Sequence, residues 1–115
     1  MGFPLIGVLI LLPLAAAAAG PFDGKWKGNV TVCGGTRVMS LVVAGSDVSG
    51  LEEWPNGKSL VSGQVSATGK FEGNVFGQGE FAGKFTVDAF SGSHMTKCGN
   101  KLVPGVVPVV LKPTK

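Results

Sequence analysis

Tyrosine is absent from the chain, histidine occurs once, isoleucine twice and cysteine twice, and only 17 of 115 residues are charged. Each scarcity excludes something. One imidazole gives little material for acid–base chemistry near neutral pH, because no other side chain titrates there without a large shift. The nine alanines include a single run of five, valine is the commonest aliphatic residue at sixteen, and few segments can form long amphipathic helices. A helical bundle is therefore excluded. Low charge argues against a disordered, charge-rich chain. Glycine, by contrast, is abundant at 19 residues, more than twice the usual share of about 7%, yet it lacks the strict three-residue period of collagen. The remaining possibility is a small, glycine-rich β-domain.

The first nineteen residues carry no charged side chain and hold fifteen of the 51 apolar residues. Leu5 to Leu14 is an apolar core, and Ala17-Ala18-Ala19 supplies the small-x-small pattern of a signal-peptidase site. With two prolines and fewer than the roughly 20 residues a membrane span needs, the segment reads as a cleaved export signal and not as an anchor. The expected organisation is a signal peptide over 1–19, a β-domain over 20–100 and a proline-rich extended segment over 101–115, with a periplasmic or secreted location and no transmembrane span after cleavage. In an oxidising compartment Cys33 and Cys98 read as one disulfide joining the first strand to the last. The 65-residue loop it closes corresponds to roughly 4 kcal/mol of chain entropy at most.

A recurring unit, apolar-x-Gly-x-apolar, organises the rest of the chain. It appears as Trp26-Lys27-Gly28-Asn29-Val30, Val61-Ser62-Gly63-Gln64-Val65, Phe71-Glu72-Gly73-Asn74-Val75 and Phe81-Ala82-Gly83-Lys84-Phe85. Gly63, Gly73 and Gly83 are ten residues apart, about one strand plus one turn. Period-two alternation sends Trp26, Gly28, Val30 and Val32 to one face, and places Phe71, Gly73, Val75, Phe81, Gly83, Phe85 and Val87 inside. Glycine on a buried face lets a strand bend sharply or gives a neighbouring ring room against the backbone. Turns at Gly34-Gly35, Gly45-Ser46-Asp47, Pro55-Asn56-Gly57-Lys58, Thr68-Gly69 and Gly77-Gln78-Gly79 separate strands near 24–33, 36–44, 48–54, 59–66, 70–76, 80–88 and 91–98. Connections this short make successive strands antiparallel neighbours. The predicted fold is an all-β antiparallel meander of about seven short strands, closed into a small barrel or strongly curled. Beyond it, the prolines from Pro104 onward argue against a central strand, so the end of the chain is expected as an extended edge segment that lies against the barrel and closes or covers the sheet, or else as a partner-binding or self-associating arm.

Candidate chemistry is sparse. His94 lacks a nucleophile on its own strand face, and it stands about 13 Å from Cys98 along a regular strand, too far to share a metal ion. It is expected at the surface or at the barrel end. Glu52 and Glu53 alternate across a strand and read as a solubilising charge and one bridge. No catalytic residue, metal or cofactor is predicted. The net charge of +3 and outward Lys25, Lys27, Lys70 and Lys84 give weak attraction to anionic surfaces. Arginine clusters and exposed aromatic rows, which nucleic-acid binding requires, are missing. Trp26, Trp54, Phe71, Phe81, Phe85 and His94 remain as contacts for an unknown protein or a small apolar ligand, with Trp54 near a loop tip as either an anchor or a ring folded back over the barrel mouth.

The stretch Phe22-Asp23-Gly24-Lys25-Trp26-Lys27-Gly28, followed by Cys33, glycine-punctuated hairpins and a late Cys98, resembles small exported bacterial β-proteins whose mature domain starts aromatic-Asp-Gly-x-Trp-x-Gly. That resemblance implies compartment and fold but no activity. Gly24-Lys25-Trp26 is also similar to the Gly-x-Trp opening of calycins, lipocalins and avidins among them, and this implies a Trp packed across a barrel floor. Three functions follow as expectations: a non-catalytic binding or envelope-associated module, a calycin-like carrier of a small apolar ligand, or a secreted enzyme inhibitor presenting Trp54 to Lys58. A cavity inside the barrel favours the carrier, and a filled interior opposes it.

Overall fold

The structure is a computed structural model and describes residues 20–98, 101–102 and 107–114, with the backbone alone at 97–98 and 101–102. The expected signal segment lies outside the described residues. Ten strands follow one another: β1 (Gly24–Val32), β2 (Gly35–Ala44), β3 (Asp47–Trp54), β4 (Gly57–Val65), β5 (Lys70–Val75), β6 (Gly79–Phe85), β7 (Phe90–His94), β8 (Lys97–Cys98), β9 (Lys101–Leu102) and β10 (Val107–Thr114). Eight of them close a barrel in the order β1-β10-β7-β6-β5-β4-β3-β2, every pair antiparallel, while β8 and β9 form a separate two-stranded hairpin. No helix among the described residues is long and apolar enough to cross a membrane.

Alternation along each strand makes the core. β1 buries Trp26, Val30 and Val32; β2 buries Met39, Leu41 and Val43; β5 and β6 add Phe71, Val75, Phe81 and Phe85. In the gaps of this pattern sit Gly28, Gly50, Gly63, Gly73, Gly83 and Gly92, on the inward side of their strands. A methyl group on Gly83 would lie 2.5 Å from both the Phe90 ring and the Ser91 carbonyl oxygen. Gly83 faces Gly92 across β6 and β7, and Gly63 faces Gly73 across β4 and β5, so the missing side chains are paired. Rings occupy the space they leave: Phe71 and Phe81 pack edge to face at 4.9 Å, and Phe85 and Phe90 stand 4.7 Å apart. An eight-stranded barrel is just wide enough for side chains to fill it, and here four phenylalanines do much of the filling.

Three details differ from the sequence reading. The eighth barrel strand is β10, the segment whose prolines argued for an edge. Its pairing is split, 107–111 with β7 and 112–114 with β1, so Pro108 and Pro113 each lie in a stretch with a ladder partner on one side only. A missing N–H costs no ladder bond on an unpaired side. Val87, expected inside, is 67% exposed. The Thr86 hydroxyl donates to the Ala89 carbonyl and accepts from the Asp88 and Ala89 amides, which turns the chain before Val87 can continue β6. The strand expected over 91–98 is interrupted at Met95-Thr96 and resumes as β8. The Cys98 side chain, and with it the expected bridge to Cys33, lies outside the described residues. Arg37 nevertheless reaches both Cys33 Sγ, at 3.6 Å, and Thr96 Oγ1, at 3.3 Å, so the chain enters β8 from the neighbourhood of Cys33.

Candidate functional site: the two ends and the outer wall

One end of the barrel is closed by apolar and aromatic groups. Residues 20–23 fold over it: the Trp26 indole donates to the Phe22 carbonyl at 2.9 Å, Phe22 stacks at 5.8 Å on Phe85, and the Asp23 carboxylate accepts from the Gly45 amide at 2.8 Å. Trp26 meets Phe85 edge to face at 4.9 Å. The ring thus lies across the barrel floor, and Trp26, Phe71, Phe81 and Phe85 are all core residues, each at most 3% exposed.

The other end is closed by charge. Inward alternation places Arg37 on β2 beside Met39, Glu52 on β3 beside Val48, and His94 on β7 beyond Phe90. Arg37 Nη1 donates to Glu52 Oε1 at 3.1 Å, and His94 Nε2 lies 2.7 Å from Glu52 Oε2. His94 Nδ1 faces the Met95 carbonyl, which can only accept, so Nδ1 carries a proton. Nε2 faces Glu52 Oε2, and the other oxygen of that carboxyl accepts from Arg37, so both ring nitrogens face acceptors. Burial by itself would raise the Glu52 pKa. The hydrogen bond and charge of His94, followed by those of Arg37, outweigh that effect and hold the carboxyl below its ordinary 4.5. Burial also opposes the charge on His94, but the hydrogen bonds to Glu52 and the Met95 carbonyl and the charge of Glu52 lift it above 6.5. Thr96 receives a hydrogen bond from Arg37 and donates to Gln78 Oε1 at 2.6 Å, which extends the network to the β5–β6 turn. Every buried side-chain nitrogen and oxygen among the described residues has a partner.

Glu52 and His94 are each 0% exposed, and both ring nitrogens are engaged within the protein. No atom of this pair is presented to a substrate. His94, expected at the surface or barrel end, is at the end but turned inward; of the two glutamates read as a solubilising charge and one bridge, Glu52 is the bridge, buried, and Glu53 stays outside opposite Lys58 in the β3–β4 register. Trp54 is not a projecting anchor either. Its ring is half-buried and lies 4.2 Å from the Arg37 guanidinium, so it folds back over the charged end. Arg37, Thr96 and Gln78 were missed by the sequence reading. The inward parity of Arg37 with Met39, Leu41 and Val43 was the available signal.

Open clefts lie outside the barrel. One, of about 500 Å³, runs along β1–β3 between Lys25 and Lys27 on one bank and Val42 and Leu51 on the other, with Ser40 between them. A second, of about 550 Å³, adjoins the β5–β6 turn beside the exposed Phe76 ring. A smaller one, of about 240 Å³, lies over Arg37 and Trp54. Among the described residues no group of three His, Cys, Asp or Glu side chains is placed to hold a metal ion. No known protein family, curated protein or solved structure matches the chain.

Proposed function

We propose that the protein is a non-catalytic binding module of the periplasm or the secreted space that works through its outer surface and needs no cofactor. The observation that carries this reading is the filled interior: the rings of Phe71, Phe81, Phe85 and Phe90 stand 4.7 to 6.0 Å from one another where a calycin-like carrier would hold its ligand. The burial of His94 argues against hydrolytic chemistry, since both ring nitrogens are engaged inside the protein and neither reaches a substrate. Stacking of Trp54 on Arg37 removes from the Trp54–Lys58 loop the aromatic anchor that an inhibitor would present. Export rests on the uncharged apolar leader and on the resemblance of the Phe22 to Gly28 stretch to exported β-proteins.

The test is titration with a neutral apolar fluorophore, N-phenyl-1-naphthylamine, followed by energy transfer from tryptophan and by amide NMR shifts. Surface function predicts no saturable one-to-one complex that perturbs the Phe71, Phe81 and Phe85 amides. Such a complex would overturn the reading in favour of a carrier.

A further inference from the structure

The lysines on β1 and β10 have no ion-pair partner among the described residues, and their placement is unusual. Lys27 and Lys112 stand directly opposite each other in the β1–β10 register, an arrangement of like charges that works against pairing. The outward positions of β10, β1 and β2 carry Lys112, Lys25 and Lys27 and no carboxylate. Ion pairs among the described residues are Arg37–Glu52, His94–Glu52 and Lys70–Glu72, and none of them touches this wall. The opposite side of the barrel is mixed, with Glu72 and Glu80 among Lys70 and Lys84. The β1 bank of the most apolar cleft is thus cationic and free of carboxylates, while Asp47 and Glu53 stand on the outer face of β3 to either side of Leu51.

Across that cleft the chemistry changes within one strand spacing. Lys25 pairs in register with Val42, and Lys27 with Ser40, which in turn pairs with Leu51. Val42, 46% exposed, is the diagonal neighbour of Leu51 on the outer face, so the two form a continuous apolar bank. Ser40, between Lys27 and Leu51 in register, has a short side chain and leaves the floor of the cleft low. Behind it the inward Gly50 lets β2 and β3 approach closely, since a methyl group there would strike the Ser40 carbonyl and the Leu41 Cα.

We propose that this cleft binds a single-chain anionic amphiphile free in solution, its acidic head between Lys25 and Lys27 and its alkyl chain along Val42 and Leu51. The proposal rests on the surface-binding reading above and names the ligand class for it. A concave groove suits one chain lying lengthwise better than the face of a bilayer, and two lysines opposite an apolar bank complement a molecule with one charged end.

The probe is dodecyl phosphate below its micellar concentration, followed by calorimetry and amide NMR. The expected result is one-to-one binding that shifts the amides of Lys25 to Lys27 and Ser40 to Val42. Dodecyl maltoside and inorganic phosphate should each bind about tenfold more weakly or worse, because each lacks one half of the recognition. Lys25→Gln with Lys27→Gln, and separately Val42→Asp, both at outward positions, should weaken the complex about tenfold. Absence of shifts, equal binding of the neutral detergent, or binding to anionic vesicles without binding to the monomer overturns the inference and leaves the surface-binding reading intact. Shifts centred on the Phe71 and Phe85 amides overturn both.

Discussion

Glu52 is fully buried between Arg37 and His94, and that makes it the side chain whose loss matters most. Removing one partner of a buried charge network leaves the others unpaired, at a cost of about 3 kcal/mol or more. Glu52→Gln should therefore lower the unfolding free energy by about that amount in urea titrations, despite its nearly unchanged volume. The network also sets a pH profile. His94 has a raised pKa when folded, so its contribution is complete below pH 6.5 and is lost as pH rises through the raised value. Glu52 has a lowered one, so its contribution is complete above pH 4.5 and is lost as pH falls through the lowered value. Stability should be greatest between these limits, and His94→Ala should flatten the alkaline limb when denaturation midpoints are measured against pH. None of this was legible from His94 alone. Its partners lie 42 and 57 positions away in the chain, and only closure of the barrel brings the three strands to one end.

At the scale of the element, the inward glycines make a sharper prediction than the apolar residues. Gly83→Ala pushes a methyl group into the Phe90 ring and the Ser91 carbonyl, and overpacking of that kind costs about 2 kcal/mol. Gly35→Ala, where nothing lies within 4 Å and φ is not positive, should stay within about 0.5 kcal/mol. Thermal melts of the two variants separate steric crowding from the general entropic effect of replacing glycine, because only the first substitution meets a neighbour. The apolar-x-Gly-x-apolar unit made these strands readable, including their faces and most of their ends. It failed at Val87, where the alternation continues in sequence but the Thr86 hydroxyl has already turned the chain. Local periodicity carries no information about a side chain that caps a hairpin.

Closure decides the behaviour of the whole molecule. β10 pairs with β7 over half its length and with β1 over the rest, so it alone joins the two open edges of the meander. A chain ending at residue 106 should lose cooperative unfolding and self-associate, because unpaired edges invite strand addition; circular dichroism melts and light scattering measure both. A bridge between Cys33 and Cys98 would act on the same scale, tying the first hairpin to the segment that leads into the closing strand. Neither cysteine should react with a maleimide in the denatured, unreduced protein, and both should react after reduction. The sequence by itself determined that the chain is all-β, that successive strands pair as hairpins, and that Trp26, Phe71, Phe81 and Phe85 face one centre. Period-two alternation and turn chemistry are local properties, written within ten residues. The tertiary structure alone decided that a proline-bearing tail is a wall of the barrel and that Arg37, Glu52 and His94 meet. It also set Lys25, Lys27 and Lys112 side by side on two adjacent strands that carry no carboxylate. Those outcomes depend on register between strands far apart in the chain, which no local pattern encodes.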